Sequence, residues 1–114
     1  MKGTVKLNRE FRYAYNRGKK VVTPALVMHC CKNRTGTTKY GITASTAIGK
    51  AHMRNRAKRL IREAYRSFAP NIKDGMNIIF AARVKTASAK YETVKSAMNE
   101  CFEKAGLFKN ENNR

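Results

Sequence analysis

The sequence predicts a small single-domain α/β protein, and three observations carry that reading. Short apolar strand-like segments alternate with segments whose apolar residues recur at helical spacing. The chain has 114 residues, 42% of them hydrophobic, which suffices for one core and not for two. No internal repeat, low-complexity block or dividing linker interrupts it. Residues 1–108 are therefore read as one domain, and 109–114 as a mobile polar tail.

The elements follow in order. Asn8 is placed to cap a short first helix in which Leu7, Phe11, Ala14 and Tyr15 fall at helical spacing, with Gly18 where a left-handed terminating residue is wanted. Val21 to Cys31 reads as one strand with Pro24 confined to its entrance, because proline has no N–H for a central ladder. The polar stretch Lys32 to Lys39, with Gly36, turns the chain into a second strand, Tyr40 to Ser45, so these two strands are expected to form a hairpin. Ala51 to Phe68 is the longest helical pattern, stopped by Pro70. A turn-like Asn71 to Gly75 precedes the apolar strand Met76 to Val84. Ser88 is placed to cap a last helix that ends near Gly106, with Val94, Ala97, Met98, Cys101 and Phe102 on one face.

Charge narrows the function. Lys and Arg outnumber Asp and Glu by 25 to 7, a formal charge of +18, and so dense a positive field calls for a polyanion, nucleic acid first. The charge is also uneven: Phe11 to Arg62 holds 13 basic residues and no acid, whereas 9 basic and 6 acidic residues follow from Glu63 onward. The working face is expected in the first part. The most apolar run, Val21 to Cys31, is too short to span a bilayer, and neither a membrane helix nor a signal peptide is predicted. Cys30, Cys31 and Cys101, an odd number, read as reduced thiols of a cytoplasmic protein.

On a helical wheel at 100° per residue, Met53, Ala57, Leu60, Ile61, Ala64 and Phe68 cover one arc of the Ala51 to Phe68 segment. Asn55, Lys58, Arg59, Arg62 and Arg66 fill the opposite arc, flanked by Arg54 and Arg56. A merely solvated helix mixes signs to gain i,i+4 pairs, yet Glu63 is the sole acid here. Guanidinium forks at several angles suit phosphates spaced along a folded backbone. Gly49 and Lys50 offer the helix N-terminus to a further phosphate, and a helix that reads a DNA groove fits the same ridge.

The segment Gly41 to Arg66, GITASTAIGKAHMRNRAKRLIREAYR, resembles the signature of the bacterial ribonuclease P protein subunit, whose Arg-Asn-Arg helix is its defining feature. Arg54, Asn55, Arg56, Lys58, Arg59 and Arg62 stand at the motif positions, and the element order fits along nearly the whole chain. The chain makes two departures from the pattern: Thr46 and Ala47 replace a common lysine pair, and His52 an aliphatic residue. The resemblance implies an α+β sandwich, a mixed sheet of about four strands packed by helices, with a helix crossing between parallel strands in the rare left-handed sense. It implies a non-catalytic protein subunit that binds the catalytic RNA subunit and the 5′ leader of precursor tRNA. The RNA, with Mg²⁺ held mainly by RNA, would remove the leader endonucleolytically. It further implies a leader cleft between the sheet and the first helix. Phe11 and Tyr15, which spacing alone assigns to core packing, would line it with His29, Thr43 and Ser45. No homo-oligomer is implied.

The residues themselves argue against an independent nuclease. Hard cations need clustered carboxylates, and the first 62 residues hold only Glu10, while Glu100 and Glu103 read as solubility charges. His29 and His52 lie on different elements, with no reason in the sequence to meet as an acid-base pair. His29, Cys30 and Cys31 are successive on a strand and point to alternate faces, so they read as core residues and not as a metal site. Gly41 to Lys50 lacks the spacing of a phosphate-binding loop. The sequence thus assigns no catalytic residue and no metal ligand, and it leaves a ribosomal-protein-like or general RNA-binding module as the alternative function.

Overall fold

The structure, a computed structural model, describes residues 18–109. The expected first helix, with Phe11 and Tyr15, lies outside the described residues, as do positions 110–114.

Lys19–Thr23 forms β1 and Leu26–Lys32 forms β2, antiparallel, with Thr23 opposite Leu26. The single strand expected over Val21 to Cys31 is therefore two, folded back at Pro24 and Ala25. Proline is the reason: it cannot donate to a ladder, while its fixed negative φ suits a corner. No described residue other than glycine has a positive φ, so this two-residue turn is not of the mirror-image types whose twist matches a hairpin. It is pinned by side chains instead. Thr23 Oγ1 donates to the Leu26 carbonyl at 2.7 Å, Arg83 Nη1 to the Thr23 carbonyl at 2.9 Å, and the Thr86 hydroxyl to the Ala25 carbonyl.

Beyond the hairpin come β3 (Lys39–Thr43), α1 (Ala51–Phe68), β4 (Met76–Ala82), α2 (Val84–Ser88) and α3 (Tyr91–Ala105). The sheet order is β1-β2-β4-β3, with β4 antiparallel to β2 and parallel to β3. The expected hairpin between the strands on either side of Gly36 does not form, because β4 lies between them. Composition explains the insertion: Ile78, Ile79 and Phe80 are fully buried, so β4 needs cover on both faces and a neighbour on both edges. The connection Asn33–Thr38 instead bridges to the start of β4. Asn33 donates its amide to the Gly75 carbonyl at 2.8 Å and its side-chain N–H to Asn77 Oδ1 at 3.0 Å.

The short α2 was not expected. Strand β4 ends at Ala82, two residues before the reading from sequence, and the Arg83 amide donates to Thr86 Oγ1 at 2.8 Å to start the helix. Lys90, not Ser88, precedes α3, which ends at Gly106 with a left-handed φ of 70°. Lys109, read as the first tail residue, donates its amide to the Asn71 carbonyl at 2.8 Å.

Helices α1 and α3 cover one face of the sheet. Leu26, Met28, Cys30, Ile78 and Phe80 meet Ile61, Ala64, Val94, Met98 and Phe102 there. Phe102 is the hub, its ring 5.4–6.4 Å from those of Tyr65, Phe68, Phe80 and Phe108. Tyr65, which the helical wheel did not place in the core, stacks on Tyr40 at 4.1 Å, and its hydroxyl is pushed up to about 12 by burial and by Tyr40.

Candidate nucleic-acid interface

The chain enters α1 through a 3₁₀ turn, Thr46–Ile48, and Gly49. Gly49 has φ 138°, and a Cβ there would lie 2.9 Å from Met53 Sδ, so only glycine fits. Two motif arginines then hold the helix in place. Arg54 Nη1 donates back to the Gly49 carbonyl at 2.8 Å. Arg56 Nε donates to the Ala87 carbonyl at 2.8 Å and Nη2 to the Ala89 carbonyl at 3.3 Å. These carbonyls at and beyond the end of α2 have no partner within that short helix, and Arg56 satisfies them.

The rest of the ridge faces outward. Asn55, Arg59, Arg62 and Arg66 are exposed and Lys58 is half-buried. Among the described residues Arg59 and Arg62 have no protein partner. Arg66 Nη1 lies 3.2 Å from Glu63 Oε1, with side-chain exposures of 75% and 53%, a surface pair of about 0–1 kcal/mol that a phosphate can displace. Lys50, exposed, precedes the first turn; no side chain caps the helix and no acid stands in that turn. The N-terminus of an 18-residue helix is thus left with its positive end unopposed.

The sheet face away from α1 and α3 carries the other candidates. Register places Lys20, His29, Ile79 and Gly41 in one row, and Val22, Val27, Ala81 and Thr43 in the next. His29 and Thr43 are therefore on the same face, with β4 between them. His29 is only 6% exposed, and its pKa is lowered first by burial and then by Lys20, which keeps the imidazole neutral. Ser45 does not alternate with Thr43 on a strand as expected. Pairing stops at Thr43 opposite Ala81, and Ser45 is the exposed residue that opens the 3₁₀ turn, its carbonyl accepting from Ile48 N–H at 3.0 Å.

The cysteines are core thiols. Burial pushes Cys30 up to about 11 and Cys101 up to about 12, so both stay neutral and unreactive. Cys31 sits on the opposite face of β2 from Cys30, two residues along from His29. Among the described residues no group of three or more His, Cys, Asp or Glu is placed to hold a metal ion. None of the described helices is long and apolar enough to cross a membrane.

An outward guanidinium ridge on a small α/β scaffold, with no carboxylate cluster beside it among the described residues, is the footprint of the class of nucleic-acid-binding proteins. Comparison with known proteins narrows the class. The Ribonuclease P family model matches residues 2–106, and the chain belongs to that family, the protein component of an endoribonuclease that is a ribonucleoprotein. A ribonuclease P protein component from Clostridium botulinum (strain Langeland) is 38% identical over 105 residues, covering 91% of this chain and 95% of that one. The solved structure of Staphylococcus aureus RNase P protein superposes with a TM-score of 0.84 at 26% identity, covering 95% of this chain and 99% of that one. The RNase P protein from Thermotoga maritima superposes with a TM-score of 0.78 at 26% identity, covering 89% and 96%. These relatives favour the subunit reading over a ribosomal-protein-like or general RNA-binding module.

Proposed function

We propose that this chain anchors on the catalytic RNA of ribonuclease P through the outer face of α1 and holds the 5′ leader of precursor tRNA against the far face of its sheet, in the cytoplasm. The RNA carries out phosphodiester hydrolysis, with divalent metal held mainly by RNA. The observation that carries the reading is the outer face of α1, where Asn55, Arg59, Arg62 and Arg66 stand exposed beside a single acid. Lys50 and Lys58 extend that face at its start and flank. Arg54 and Arg56 reach the RNA only with the donors left over from their backbone contacts. The leader contacts are assigned to Phe11 and Tyr15 and to His29 and Thr43 on the far face of the sheet, with Ser45 at its rim.

The test is equilibrium binding to the catalytic RNA across a salt series. With roughly six phosphates engaged, log K is expected to fall against log salt with a slope of about −4 to −5. Arg59→Ala/Arg62→Ala is expected to flatten that slope by about 1.5 to 2. A slope unchanged in this variant, with an unchanged melting temperature, overturns the assignment. The leader half is tested separately with Tyr15→Ala in the holoenzyme. A loss of about 5- to 100-fold for precursor tRNA, with mature tRNA unaffected, supports a stacked leader base. Equal losses for both tRNAs overturn it.

A further inference from the structure

The face of the sheet that packs against α1 and α3 is not covered to its end. Register sets Lys19 opposite Cys30 and Lys32 opposite Met76, which places these four side chains on that same face where β1 begins and β2 ends. Helix α3 stops just short of them. Gly106 turns the chain, Leu107 stays 3% exposed, and the Leu107 carbonyl accepts the Lys73 amide at 2.8 Å. A cavity of about 540 Å³ remains between the sheet end and this corner, within the size range of small-ligand sites.

Its lining separates into two zones. The floor is apolar: Cys30, Leu107 and Met76, the first two almost fully buried. The rim is cationic: Lys19, Lys32 and Lys73 come from β1, β2 and the loop before β4, and no Asp or Glu lines the cavity. Lys19 Nζ lies 3.5 Å from the Ala105 carbonyl, a long contact that keeps the ammonium over the cavity and leaves its other donors open. No residue of α1 lines this space, nor do His29 and Thr43; Cys31, at the end of β2, closes it.

We infer that this cavity is a nucleotide subsite, which takes one unpaired nucleotide of an RNA with its base on the Cys30, Met76 and Leu107 floor and its phosphate among Lys19, Lys32 and Lys73. Proteins read unpaired RNA bases by splaying them onto such surfaces, because a base in a helix hides its faces. A bare anion would use the rim and leave the floor wet; a neutral apolar ligand would leave three lysines unanswered. A nucleotide satisfies both zones. The inference rests on RNA being the partner, but not on the ridge.

The test follows backbone amides of the full ¹⁵N-labelled chain during titration with AMP, adenosine, inorganic phosphate and a five-nucleotide single-stranded RNA. Arg59→Ala/Arg62→Ala is the background for the oligonucleotide arm, so that ridge binding does not mask the cavity. AMP is expected to shift the Cys30, Lys32, Lys73 and Leu107 amides, at an affinity at least tenfold above phosphate or adenosine alone. Lys19→Gln/Lys73→Gln is expected to weaken AMP at least tenfold with an unchanged melt, and Lys95→Gln on the exposed side of α3 to leave it unchanged. The oligonucleotide is expected to shift the same amides at least as tightly as AMP. Phosphate matching AMP, or AMP shifting only α1, overturns the subsite. AMP binding there while the oligonucleotide is excluded overturns RNA as the source. Loss of ridge dependence for the catalytic RNA would count against the proposed function alone, since these cavity shifts are read in a ridge-deficient chain.

Discussion

Helices α1 and α3 lie side by side on the same sheet face and bury apolar stripes of the same kind, yet their outer faces differ. Helix α3 mixes two basic with three acidic residues and pairs Lys104 with Glu100 at 2.8 Å, four residues apart. Helix α1 carries six basic residues against one acid. Packing a helix onto a sheet demands only the inner stripe, so apart from Arg54 and Arg56, which reach backbone carbonyls, the basic residues of α1 contribute nothing to the fold and leave like charges in repulsion. The comparison shows where folding ends and binding begins: the inner faces are interchangeable in kind, and the outer ones are not.

The inner faces give the largest expected effects. Phe102→Ala on α3 is expected to cost about 3–5 kcal/mol and Ile61→Ala on α1 about 2–5 kcal/mol, read by denaturant unfolding, because both are fully buried. Similar losses from the two helices support the equivalence; a neutral Ile61→Ala would break it. Next comes the division within α1. Arg56→Lys cannot keep both backbone contacts and is expected to lose about 1–2 kcal/mol of stability. Arg59→Lys is expected to leave the melt unchanged, and equal melts for the two variants would show that Arg56 is as free as Arg59.

The far face of the sheet supplies a pH test. His29 has its pKa lowered in the fold, so below the ordinary value near 6.5 the unfolded chain takes up a proton that the folded chain resists. Stability is expected to be fully present above that pH and to fall as the solution is acidified from pH 7 to 5. His29→Gln is expected to flatten that part of the profile; an unchanged profile would show that the imidazole charges freely in the fold. The smallest effect belongs to the outer face of α3: Lys104→Ala is expected to shift the melting temperature hardly at all. A larger loss would mean that the mixed-charge face also shapes the fold.

The long amphipathic pattern made α1 legible to the residue, because 18 positions of one period and a stopping Pro70 leave little freedom. The ridge was legible for the same reason. The hairpin at Pro24 was not, since its turn takes its hold from Arg83 and Thr86, some 60 residues away in the chain. The insertion of β4 between β2 and β3 is a choice among pairings that periodicity does not rank. Arg56 read as one more phosphate contact because the carbonyls it meets belong to α2, a five-residue helix with no sequence signal of its own.

Among the described residues, β4 is the last strand to be synthesised and the one between β2 and β3. Until Met76–Ala82 has left the ribosome, β2 and β3 have no strand to join them, and the buried Ile78 and Phe80 on which the helices settle are missing. The cationic part of the chain is therefore finished first and given its shape last. A polypeptide released early carries the arginines of α1 without a scaffold to aim them, and such an incomplete copy is expected to be cleared by proteases before it competes with finished ones for RNA.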